Sequence, residues 1–337
     1  MSGQDELKGT TISWMLDAGG PGIRYLILRD LCELPEGNAE LQEARTAAHQ
    51  VGPISVVLSQ MNPDGYWIEP GHGYNPKYRS TVWSILLLAQ LGGRIEQDNR
   101  IARACSYLLD HTLSPGGQFS TNGAPSGTVD CLQGNMCWSL LELGCEDERL
   151  DLAFEWMART LTGEGMAPNT DRNAPLRYYA GKCGPAFACG ANNKLSCAWG
   201  AVKVMMAFGK LPEEKRSPLI HRAIRQGMDF IFSIEPSTAA YPTGYSDKPS
   251  GNWWKLGFPV FYVTDLLQLV EAAARLGYAD DPRLAKTQAL LLDKRDQHGR
   301  WAMEYSYSGK TWLDFGPLKK PNAWVTLRAL RTLKPVA

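Results

Sequence analysis

The chain has 337 residues with 35 basic and 35 acidic side chains and a pI near 6.9. Nothing in that balance asks for nucleic acid or an anionic membrane surface, and a neutral surface points to a small or apolar ligand. Hydrophobic residues at 44% and 11 Trp are ample for a large core, and no run of about 18 uncharged apolar residues is present that could cross a bilayer.

The opening, MSGQDELKGTTISWMLDAGG, lacks a basic segment followed by an apolar stretch and a cleavage site, which predicts a cytoplasmic protein. Residues 1–20 read as a flexible or peripheral segment. Ile23 to Leu31 with Leu41 to Leu58 forms a first helical pair. Four segments then repeat one pattern: TVWSILLLAQLGGRIEQDNRI, NMCWSLLELGCEDERL, CAWGAVKVMMAFGKLPEEKRSPLI and FYVTDLLQLVEAAARLGYADDPRL. Each has an apolar helix ending in Leu-Gly or Phe-Gly, an acidic turn, and an Arg leading into a second helix. The pairs are Leu91-Gly92 with Arg100, Leu143-Gly144 with Arg149, Phe208-Gly209 with Arg216, and Leu276-Gly277 with Arg283. Glycine closes one helix, acidic residues complement the dipole of the next, and the Arg is expected to pair with an acidic residue or the preceding carbonyl end.

Between the pairs lie Gly-rich loops, NPDGYW, SPGGQF, TGEGMA and DQHGRW. A final helix from Asn322 to Leu333 carries Trp324, Leu327 and Leu330 on one stripe. A solenoid would end in a polar cap, so this helix reads as a piece that closes a ring. The eight Cys read as reduced thiols in a chain of this length.

The Gly-plus-aromatic loop followed by KYRSTVWSILLLAQLGG resembles the repeats of the terpenoid cyclase and protein prenyltransferase superfamily, including squalene-hopene cyclases, and of uncharacterised bacterial prenyltransferase-like proteins. The resemblance extends from about Pro53 to the end. It implies an all-α fold, an α/α toroid of roughly five to six helical hairpins in a single domain over 1–337, with a central cavity opening at one end. It also implies a hydrophobic, isoprenoid-like or polycyclic substrate. The chain departs from the characterised members. The acidic run nearest to D-x-D-D is Asp280-Asp281, which sits in a repeated turn as a helix-start device, and D-D-x-x-D is absent. Proton-initiated cyclisation of squalene type is therefore disfavoured.

Protein prenyltransferases hold a catalytic zinc with an Asp and a nearby Cys at an inner-helix start, plus a later His. Asp130 and Cys131 are similar in position but adjacent, and no His matches the third ligand. Cys183, Cys189 and Cys197 precede the next inner helix, so a shared mouth would gather four thiols, and zinc takes such donors well. Their spacings fit no zinc finger or ribbon. Three readings stay open: a metal held by Cys131, Cys183, Cys189 and Cys197, reactive thiols without metal, and small buried core residues.

A second constellation is aromatic. His72, Tyr74, Lys77 and Tyr78 lie on the loop feeding one inner helix, Trp253, Trp254, Phe258, Tyr262 and Asp265 stand at the matching place in a later repeat, and Trp138 lies on the inner helix that follows Asp130-Cys131. Asp265 sits in the middle of an otherwise apolar helix stretch, where a buried carboxylate without a partner is costly. Tyr74, Trp138, Trp253, Trp254, Phe258 and Tyr262 are candidate substrate-binding residues whose π faces would cradle a polycycle or a carbocation, or else ordinary core. Tyr78, Asp130, Asp265 and His72 are the candidate acids and bases. No phosphate loop, dinucleotide fingerprint or nucleophile elbow occurs, so no nucleotide cofactor is indicated. Two classes of function remain: an enzyme performing acid/base or metal-assisted isomerisation, cyclisation or transfer, and a non-catalytic lipid or isoprenoid binder or scaffold on the same fold. Convergence of Cys131 and Asp265 on one pocket would favour the enzyme. Homo-oligomerisation is left open.

Overall fold

A computed structural model describes residues 3–333 apart from residue 175, with side chains from residue 9 onward. Helices follow in the order α1 Gly3–Asp30, α2 Ala39–Gln50, α3 Pro53–Ser59, α4 Thr81–Gln90, α5 Asn99–Thr112, α6 Asp130–Leu143, α7 Arg149–Thr162, α8 Ala198–Lys210, α9 Pro218–Ile231, α10 Leu266–Ala273, α11 Ala285–Asp293 and α12 Ala323–Thr332. α1 is kinked where Gly20 takes φ 67° and Pro21 follows.

Burial sorts the helices into two layers. α4 is buried all round, from Thr81 to Ala89, as a helix walled in on every side must be. α5, α7 and α9 bury a single stripe and face water on the other. The second half of α1, then α4, α6, α8, α10 and α12, form the inner ring, while α2 with α3, α5, α7, α9 and α11 lie outside. Each inner helix from α4 to α12 packs on the next, and α12 returns to α1, where Gly22 faces the Trp324 ring. Gly92, just beyond α4, lies against Tyr25 and Leu26 of α1 and completes the circle. The architecture is the all-α toroid that the repeat implied.

The inner helices run parallel, because their C-terminal ends meet in one group of ion pairs. Glu142 of α6 binds Arg29 of α1 at 3.2 Å and Lys210 of α8 at 2.6 Å, and Arg331 of α12 binds Asp30 at 3.1 Å. That end is closed by charge, and the opposite end is left to the loops.

The repeated residues do the local work. Gly92, Gly144 and Gly277 adopt φ of 83°, 87° and 88°, the left-handed conformation that glycine takes without strain. The fourth copy differs: Gly209 stays inside α8, and the chain leaves the helix at Leu211. Arg100, Arg149 and Arg283 pair with Asp98, Asp147 and Asp281, whereas Arg216 donates to the Leu211 carbonyl at 3.0 Å. Two of the loops are fastened by one device. The indole N–H of Trp67 donates to Val57 O and that of Trp301 to Leu291 O, each at 2.8 Å, and their backbone N–H groups reach Thr81 and Thr326 of the next inner helix.

The segment expected to be flexible or peripheral is helical from Gly3, with residues 1–2 outside the described part. Thr11 is buried and donates to His298 O at 2.8 Å, so this stretch is docked on the ring. Among the described residues no helix is long and apolar enough to cross a membrane.

Candidate active site

A cavity of about 390 Å³ opens at the N-terminal ends of α6 and α8, within the size range of small-molecule sites. Its floor is Asp130 and Cys131 at the start of α6, with Cys197 and Trp199 at the start of α8. Tyr241, Trp253 and Tyr262 supply aromatic walls, and Lys182 stands at the rim. The two helices approach unusually closely because Gly134 of α6 faces the Lys203 backbone and Gly200 of α8 faces Asp130, where a Cβ would stand 3.0 Å from the Asp130 Cβ. The carboxyl is thus wedged between helices before any hydrogen bond is made.

Asp130 is 6% exposed. Its Oδ1 accepts from the Cys183 thiol at 2.5 Å, and its Oδ2 is buried with no hydrogen-bond partner among the described residues. Burial pushes its pKa up to about 8, the Cys183 bond opposes the rise, and the nearby Cys189 sulfur adds to it. At neutral pH the group is mostly the neutral acid, and its free oxygen is the place for the proton. A carboxylic acid with one oxygen held and the other buried and unpartnered, beside an apolar cavity, keeps its proton out of water.

Four cysteines gather here, as their repeat positions suggested. Cys131, Cys189 and Cys197 line the cavity and Cys183 holds the acid. Cys183 is engaged with Asp130, and among the described residues no three His, Cys, Asp or Glu side chains are arranged to hold a metal. The Cys197 thiol, together with the backbone amides of Ala191 and Asn192, lowers the Cys189 pKa to about 6. Cys197 is correspondingly raised, and burial with the Asp130 charge lifts Cys131 to about 12.

The remaining candidates divide. Trp253 packs edge-on to Trp199 at 6.5 Å and against Tyr241 at 5.5 Å, forming the wall with Tyr262. Tyr78, at φ 74°, is held among Trp83, Phe261 and Tyr307, and its hydroxyl reaches that of Tyr262 at 3.4 Å. Burial raises its pKa, which disfavours it as a base. Tyr74 packs on Trp83 and is raised to about 12, chiefly by burial.

The others lie elsewhere. His72 is exposed, and its Nδ1 bonds His111 O at 2.6 Å. Trp254 donates to Ser237 O at 3.0 Å, and Phe258 stacks on Trp324 at 4.7 Å. Trp138 and Phe258 line a separate void of about 30 Å³ deeper in the ring. Asp265 has a structural task. It caps α10 through Gln268 N at 2.8 Å and binds Arg328 through both oxygens, at 3.0 and 3.1 Å. Cys131 and Asp265 do not share the cavity; Asp130 is the carboxyl beside Cys131.

Trp199, Tyr241 and Lys203 went unmarked by the sequence reading. Lys203, in the apolar run AVKVMMAF, is buried, donates to the Gln268 side chain, and is lowered to about 7 by desolvation. A lone cation in an apolar helix was the available signal.

No family model matches the chain, and no curated protein does. Among solved structures it is similar to the type II terpene cyclase MstE from Scytonema in complex with geranylgeranyl dihydroxybenzoate, at 14% identity over 93% of this chain and 73% of that one, with a TM-score of 0.46. An apo form of the same cyclase aligns at 16% identity over 87% and 73%, with a TM-score of 0.46. Likenesses of that depth leave the chemistry to the chain's own cavity.

Proposed function

We propose that the protein is an enzyme that isomerises or cyclises an apolar, isoprenoid-like molecule by protonating it from Asp130. The observation that carries the reading is the buried, half-partnered carboxyl of Asp130 beside an aromatic cavity. The carboxyl proton adds to a substrate double bond, the electron pair of that bond forms the new C–H bond, and a cation is left on the neighbouring carbon. Trp199, Trp253 and Tyr262 offer their π faces to that charge. Loss of a proton elsewhere on the skeleton regenerates a double bond, so the product is an isomer of the substrate. The short acidic motif that opens such reactions in the resembled cyclases is absent, and burial with a thiol partner takes its place.

The test is turnover of a panel of linear polyenes in D₂O. Wild type is expected to yield isomers carrying deuterium on carbon, and Asp130→Asn to lose about 10²-fold or more in rate while still binding the substrate. Because the carboxyl is already neutral, the asparagine should fold normally. Unchanged turnover in Asp130→Asn, or binding without turnover in wild type, would overturn the reading, the latter in favour of a carrier.

A further inference from the structure

One part of the cavity wall has no task in that acid chemistry: two cysteines side by side. Segment 187–197 folds back on itself, with Ala188 paired antiparallel to Ser196, Cys189 N–H on Leu195 O at 3.1 Å and Cys197 N–H on Phe187 O at 2.9 Å. Residues flanking such a pair share one face. Cys189 and Cys197 accordingly both face the cavity, from the two arms of one fold-back. The Asn192 and Lys194 amides donate to the Cys189 carbonyl at 2.8 and 2.9 Å and hold the turn that carries this thiol. Cys105 and Cys145 make the contrast: both are buried in the ring wall, and neither lines the cavity.

We infer that Cys189 and Cys197 form a redox-active dithiol site on the cavity wall, which a small peroxide converts to an intramolecular disulfide. The Cys189 thiolate attacks one peroxide oxygen, the O–O bond breaks, and the departing oxygen takes a proton to become water. Cys197 sulfur then displaces the hydroxyl from Cys189, losing its own proton, and the hydroxyl leaves as a second water. Two thiols have given up two electrons and two protons, and one hydrogen peroxide has become two waters. The bond ties segment 187–189 to the start of α8 and replaces an anionic sulfur beside Asp130 with a neutral one. The inference shares the cavity of the proposed reaction but does not depend on Asp130 acting as an acid.

The experiment is peptide mapping of the full chain after brief treatment with hydrogen peroxide. Two of the eight thiols should disappear into a Cys189–Cys197 cross-link lighter by two hydrogens, and dithiothreitol should restore both. In Cys197→Ser the product should instead be a sulfenic acid on Cys189, captured by dimedone. The same cross-link should form in Asp130→Asn, which separates this result from the fate of the acid mechanism. A cross-link confined to Cys105 and Cys145, or a Cys189 that stays reduced while exposed Cys32 oxidises, would overturn the inference.

Discussion

Asp130 sets the expected pH response of the proposed reaction. Its pKa is raised to about 8, so the reactive acid is present at neutral pH and is lost as pH rises through that value. A rate profile should therefore fall on its alkaline side near pH 8. The Cys183 bond favours the ionised carboxylate and holds the pKa down. Removing it in Cys183→Ala should move the alkaline limb to higher pH, measured as the rate across a buffer series. A limb that stays in place would separate Cys183 from the acid. At this scale the sequence marked the residues but not their tasks. Asp130 and the four cysteines stand out as departures from a repeated pattern, which needs only comparison along the chain. That Asp130 would be a neutral acid and the thiols its neighbours depends on burial and on a contact 53 residues apart, and periodicity carries neither.

The elements were more legible, for a physical reason. A Gly that stops a helix and an Asp-Arg pair that starts the next act within a few residues, so their record is local. Gly209 is the exception that shows the limit: the same dipeptide lies inside α8 because its neighbours continue the helix. Asp265 shows it again. A carboxylate in an apolar stretch points to reactivity only while it has no partner, because a buried charge is costly unless paired, and its partner Arg328 lies on α12, 63 residues on. The pair fastens α10 to the closing helix. Asp265→Asn keeps a capping side chain for α10 but strands Arg328, and should cost about 3–5 kcal/mol in chemical unfolding. Adding Arg328→Met should recover most of that loss, and a single variant as stable as wild type would show that the pair holds nothing.

Across the whole molecule the ring is closed at one end by charge and open at the other to ligand, and the two ends respond oppositely to acid. At the closed end Glu142 joins α1, α6 and α8, and its pKa is held at about 2: burial would raise it, but Arg29 and Lys210 outweigh that cost. A carboxylate depressed from its usual 4.5 contributes stability that is complete above that value and lost as pH falls toward 2. At about 1.4 kcal/mol per pKa unit the contribution is roughly 3 kcal/mol. Asp130 at the mouth has the reverse sign: its raised pKa makes the fold easier to keep at low pH and harder as pH rises from 3.8 toward 8. Acid unfolding should therefore begin at the closed end. In Glu142→Gln the stability measured by urea unfolding should be lower at neutral pH and should fall less steeply than wild type between pH 4.5 and 2. Some slope should persist, because Asp30 and Glu271 are lowered by the same group of arginines. Parallel stability curves for the two proteins across that window would mean that Glu142 does not close the ring.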